Sequence, residues 1–247
     1  MHETGIHISL GAQKLFDFLS IPITNTIVST ALVSSTLIIL AFVFKARLKE
    51  VPSRLQAIIE ALFEYTLSYM EEVLENKRLA RKLFPIIMTI FLFVLFANWM
   101  GHLPFYEAIA YEPSGAHFPK SSNTDLNTTL ALAIISFFTV EIIGVASLGF
   151  FKYMGKFINF SSPLDFIIGL IELISELARL VAFSFRLFGN ILAGEVLILV
   201  IKYFVPYLLP VPLLAFEFFV GFVQAAIFAL LTLYFVKLAI MEPEHAH

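Results

Sequence analysis

Arg186, Glu195, Glu217 and Gln224 stand in stretches otherwise so apolar that each needs a physical reason to be there. A guanidinium near the middle of a membrane span costs at least about 2.5 to 3.5 kcal/mol, so it pairs, faces a wet cavity or marks an ion path. Glu172, Glu176, Arg179 and Arg186 follow one another at intervals of four, three and seven residues, which on a helix confines them to a stripe about 80° wide. Asn190, four beyond Arg186, extends that stripe, whereas Glu195 points to nearly the opposite side. Glu217, Gly221 and Gln224 form a second stripe, with a glycine between two polar residues that permits close helix approach. If the last two apolar segments fold back on each other, this stripe meets Glu195 and completes a hydrated, proton-conducting pocket. Two facing acids cannot both stay ionised cheaply, so one is expected to hold a proton and relay it. The plainer reading makes Glu172, Glu176 and Arg179 a set of local ion pairs, and Glu217 with Gln224 an interhelical hydrogen-bond pair. Arg186 has no acid three or four positions away. Glu141 is a further acid inside an apolar segment, and with Asp125, Asn127 and Glu176 it is a candidate for lining a channel.

These residues need long apolar elements to hold them, and the composition supplies those. Of 247 residues, 59% are hydrophobic and only 14% charged, which excludes an ordinary soluble domain. The absence of cysteine excludes disulfides, thiol catalysis and cysteine-ligated metal, no catalytic or phosphate-binding motif is present, and a net charge of -3 leaves no nucleic-acid footprint. The pattern predicts an all-α integral membrane protein, one domain over 1–247, with spans at 18–44, 83–106 and 126–151 and two long helices at 164–203 and 211–240. A surface helix at 51–78 places Leu55, Ile58, Leu62, Tyr69 and Met70 at three-and-four spacing. Its acidic polar face argues against simple adhesion to anionic lipid, so it is expected at the interface, packed on other protein.

A single helix over Asp165–Lys202 reaches about 57 Å against a hydrocarbon core of about 30 Å, so it must tilt steeply or break. Pro206, Pro210 and Pro212 mark a turn before the last segment. Lys45, Arg47, Lys49, Arg54, Lys77, Arg78, Arg81 and Lys82 place their segment inside. The amino terminus and the loop with Glu107, Glu112 and Asp125 are then outside, and the carboxyl terminus is cytoplasmic. The first residues carry neither a cleaved-signal nor a transit pattern, so the mature chain is expected to begin near Met1. Asn127-Thr128-Thr129 matches a glycosylation triplet, and His245 with His247 forms a solvated tail; neither is given a further role.

The run RLFGNILAGE from Arg186 to Glu195, a final helix with Glu217 and Gln224, and the run NTDLNTTL from Asn123 to Leu130 closely resemble subunit a of the F-type ATP synthase, bacterial type. The resemblance implies five membrane helices plus one interfacial helix, the last two helices forming a steeply tilted hairpin. It implies a non-catalytic, cofactor-free stator subunit in the bacterial plasma membrane. Its partners are then a ring of c subunits, the peripheral-stalk b subunits, the catalytic head and the lipid bilayer, with no nucleic acid. Arg186 aligns with the family's essential arginine; Asn190, Glu195, Glu217 and Gln224 align with polar positions of its proton path, and Glu172 with a less uniform acidic position. Some bacterial members carry His where this chain has Glu217.

Two other readings compete. A secondary transporter would hold an anionic substrate at Arg186 and couple it through the acids, and it should show an internal repeat, which this sequence lacks. A structural membrane scaffold would use the charges as buried ion pairs and would tolerate Arg186→Gln once their partners were also removed.

Overall fold

In a computed structural model, residues 14–18, 21–103, 110–111, 116–117, 121–157, 162–205 and 208–241 are described. Every long element among them is a helix. A short antiparallel ladder precedes the first, pairing β1 (Lys14–Phe18) with β2 (Ile21–Thr24). The first span therefore begins later than hydropathy alone predicts, as α1 (Asn25–Arg47). Pro22 lacks an amide proton for a helix, and the Thr24 hydroxyl accepts the Ile27 N–H at 3.3 Å, as an N-terminal cap does. Within α1 the hydroxyls of Ser29, Thr30, Ser34 and Ser35 donate to carbonyls four residues back. That satisfies them without water and lets them sit in an apolar helix.

The surface helix is α2 (Arg54–Leu74), opened by Ser53, whose hydroxyl accepts the Gln56 N–H at 3.4 Å, and ended by Glu75 in the left-handed region at φ 52°. Lys77 and Arg78, expected at the end of that helix, instead open α3 (Lys77–Met100), because Asn76 Oδ1 accepts the Leu79 N–H at 3.0 Å and starts a new helix. Glu75 and Lys237 pair at 2.8 Å. Along α2, Met70 and Leu74 are buried while Leu55, Ile58, Leu62, Tyr65 and Tyr69 are exposed.

A second ladder pairs β3 (Ala110–Tyr111) with β4 (Ala116–His117), and a single 3-10 turn covers Ser122–Thr124. The next span, α4 (Leu126–Leu148), stops before the predicted 151. Gly149 adopts φ 84°, a conformation that suits glycine, and the chain restarts as α5 (Phe150–Met154). α6 (Pro163–Phe204) is one unbroken helix of 42 residues, about 63 Å long at 1.5 Å per residue. α7 (Pro210–Ile240) follows. Pro210 opens α7 and Pro212 lies in its first turn, where a proline needs no amide proton, rather than in a turn before the helix; Pro206, Glu107, Glu112, His245 and His247 lie outside the described residues. Among the described residues four helices, α1, α3, α4 and α7, are long and apolar enough to cross a membrane.

The chain packs as two compact units. The first draws its described residues from Met1–Ile39, Leu92–Thr129 and Ser184–Ala225, the second from Leu40–Phe91, Leu130–Phe183 and Ala226–His247. The second holds an apolar core that includes Met70, Leu83, Ile87, Tyr153, Leu233 and Val236. The first buries many polar side chains, among them Asn25, Asn98, His102, Asn123, Ser184 and Glu217.

Candidate functional site

In the first unit, hydrogen bonds from the end of α3 draw it onto α7. Asn98 donates to the Gly221 carbonyl at 2.9 Å, and the Trp99 indole donates to the Phe218 carbonyl at 2.9 Å. Gly221 makes this approach possible, since a Cβ there would lie 3.0 Å from Asn98 Cβ. Asn123 donates to Asn98 Oδ1 at 2.7 Å, and Ser121 donates to the Ala97 carbonyl at 3.2 Å, fixing the segment before α4 onto the same helix end. Asp125 accepts from Thr26 at 2.9 Å and from the Asn127 side chain at 3.0 Å. The donors of these bonds are neutral amides, hydroxyls and an indole, so no charged donor has to be buried to make them.

Glu217 lies one turn before Gly221 on α7, the helix that accepts two of these bonds. Its side chain is 6% exposed, and Oε2 lies 4.0 Å from Nε2 of His102, itself 2% exposed. The carboxyl group occupies the space where a side chain at residue 194 would stand, so Gly194 is the part of α6 that admits it. Glu195, the next residue, is half-buried on α6, and Gln224 is half-buried on α7. The structure thus sets Glu217 against Gly194 and His102. The sequence does not single out His102 or Gly194 as site residues, although His102 stands at the end of an otherwise uncharged apolar span.

Arg186 and Asn190 lie on an exposed row of α6. Ala182, Gly189 and Ala193 are exposed beside them, and a Cβ added at Gly189 would meet nothing within 4 Å. In an apolar helix, an exposed row of small residues bearing an arginine and an amide is a surface to which another polar group can come close.

In the second unit, Glu172, Glu176 and Arg179 do form the ion pairs that their spacing allows. Arg179 meets Glu176 at 2.8 Å and Glu172 at 3.8 Å. Lys156, from the segment after α5, meets Glu172 at 2.9 Å and Glu176 at 3.9 Å. The Arg179 guanidinium also sits 4.7 Å from the centre of the Phe235 ring, a cation–π contact. A cavity of about 20 Å³, room for one water, is lined by Ser136, Glu176, Arg179, Phe183 and Phe235 among others. Glu141, half-buried on α4, belongs to this neighbourhood. Burial, and then the nearby Glu141 and Glu176 carboxylates, push the Tyr153 phenol up, so that it stays protonated.

A family model described as the ATP synthase A chain matches residues 26–237. The chain is similar to the ATP synthase subunit a of Campylobacter concisus, 35% identical over 216 residues that cover 87% of this chain and 89% of that one. It is similar to the ATP synthase subunit a of Gloeobacter violaceus, 35% identical over 225 residues, with 90% and 86% covered. Against the ATP synthase subunit a of Mycobacterium tuberculosis it is 35% identical over 231 residues, with 90% and 89% covered.

Proposed function

This chain belongs to the ATP synthase A chain family, and on that premise we propose that it conducts protons through the membrane sector of that enzyme, past a rotating ring of c subunits. It is a multi-pass, non-catalytic membrane subunit. In this reading α6 is a fifth, steeply tilted crossing paired with α7, α2 lies at the interface, the amino terminus is outside and the carboxyl terminus cytoplasmic. The membrane is the bacterial plasma membrane, and the peripheral-stalk b subunits and the catalytic head are the remaining partners.

The observation that carries the reading is the exposed row of α6 that presents Arg186 and Asn190 among Ala182, Gly189 and Ala193. A guanidinium stays charged at any physiological pH and stabilises an arriving ring carboxylate as its anion, so the carboxylate must give up its proton there. The same charge keeps a proton from passing directly from one half-channel to the other. Glu195, Glu217 and Gln224 serve the half-channel that loads the ring. Glu172 and Glu176, with Glu141 and the one-water cavity, serve the half-channel that unloads it. Asp125 and Asn127 line the approach from outside. Each charge that crosses releases about 2.3 kcal/mol per 100 mV, so several must cross per turn to drive nucleotide synthesis in the head.

Because the chain has no cysteine, single cysteines report position cleanly. Cysteine at Gly189 or Ala193 is expected to form a disulfide with a cysteine placed beside the carboxylate of the ring subunit in assembled membranes. Absence of that cross-link, with a control cysteine at Ile142 on the exposed side of α4 equally silent, is the expected pattern of a chain that meets no ring on this row.

A further inference from the structure

We propose that His102 is a proton-relay residue that loads Glu217, an inference resting on the proton-conducting reading above. The two side chains come from distant parts of the chain, His102 just past the end of α3 and Glu217 on α7, both are almost fully enclosed, and Nε2 faces Oε2 at 4.0 Å. In the relay the Nε2–H bond of the imidazolium breaks and an O–H bond forms at Glu217 Oε2. This leaves neutral imidazole and a carboxylic acid; the acid passes its proton on and the imidazole is reprotonated from the water side. Closing the gap by about 1 Å, within the reach of a side-chain rotation, brings the pair to hydrogen-bond distance.

A purely structural ion pair explains the contact less well. A bridge that holds helices together is hydrogen-bonded, and 4.0 Å is too long for that. The task of holding α3 to α7 is already met by Asn98 on the Gly221 carbonyl and Trp99 on the Phe218 carbonyl. Those bonds leave His102 two residues past the helix end, where its ring packs edge-on against Phe218 with centroids 6.1 Å apart. Glu217 Oε2 has no hydrogen-bond partner among the described residues, so it is available to accept the proton. Glu195 is the charged residue beside Gly194, the glycine of α6 against which this carboxyl group packs.

The test uses the assembled complex in inverted vesicles, with ATP-driven proton pumping as readout and Arg186→Ala measured beside it. His102→Gln keeps bulk and hydrogen bonding but cannot cycle a proton, and pumping is expected to fall about tenfold at matched assembly. In His102→Ala, free imidazole added to the vesicles is expected to recover pumping, which a merely structural role would not allow. A loss smaller than about threefold in His102→Gln, or an assembled His102→Ala that imidazole does not improve, overturns the relay. If His102→Ala does not assemble, the His102→Gln flux alone decides. Normal pumping by Arg186→Ala would instead overturn the reading on which the inference rests, so the two failures are told apart.

Discussion

The two units of this chain bury polar groups by opposite means. The first sets Glu217 against an imidazole and a glycine and ties the end of α3 to α7 through an amide and an indole that donate to backbone carbonyls. The second surrounds Glu172 and Glu176 with Lys156 and Arg179. Glu172 and Glu176 each lie within ion-pair distance of both Lys156 and Arg179, whereas Glu217 faces the imidazole of His102 at 4.0 Å. The difference teaches that acids on helices of one chain can be given unlike surroundings by their neighbours alone: an imidazole in the first unit, fixed cations in the second.

The comparison can be broken most sharply at Gly194. Gly194→Val fills the space of the Glu217 carboxyl, and ATP-driven pumping is expected to fall about a hundredfold in an assembled complex; flux near wild type would remove Glu217 from the path. Next in size is Glu176→Leu, which removes the closest carboxylate of Arg179 and leaves Glu172 to face both cations, at an expected cost of about 3 kcal/mol. A lowered Tm of the detergent-solubilised complex would show it, and adding Arg179→Leu should recover most of the loss. Asn98→Leu strands the Asn123 amide and removes the bond to the Gly221 carbonyl, a loss of about 1 to 3 kcal/mol. Hydrogen exchange should then rise around Gly221 while the second unit is unchanged.

The smallest effect is expected at Glu75. The Lys237 ammonium holds its carboxyl below the ordinary 4.5, so the contribution is present above that pH and lost as pH falls below it. Glu75→Gln should leave pumping at neutral pH unaltered and remove only this acid-side dependence of Tm.

Much of this was legible in the sequence because helix periodicity and caps are local. The charged stripe of α6 is visible in the spacing of Glu172, Glu176 and Arg179, and their pairing follows from it. The ends of α2 and α3 were less so: Lys77 and Arg78 share the hydropathy of a surface helix, and only the left-handed Glu75 and the Asn76 cap assign them to the next element. Gly149 likewise interrupts an apolar run that periodicity reads as continuous. The surroundings of Glu217 were hidden for another reason. Gly194 and His102 are distant in sequence from it and from each other, and a glycine chosen for the space it leaves carries no hydropathy signal. Lys156 lies outside the helix that carries Glu172, so spacing along α6 does not reveal that the fold brings the two together.

The central claim is that Arg186 on the exposed row of α6 couples ring carboxylates to proton flow. ATP-driven pumping in inverted vesicles carrying Arg186→Ala, at matched assembly and with passive leak recorded, tests it most directly. The account predicts loss of coupled pumping together with increased passive leak; normal pumping by the fully assembled variant would contradict it.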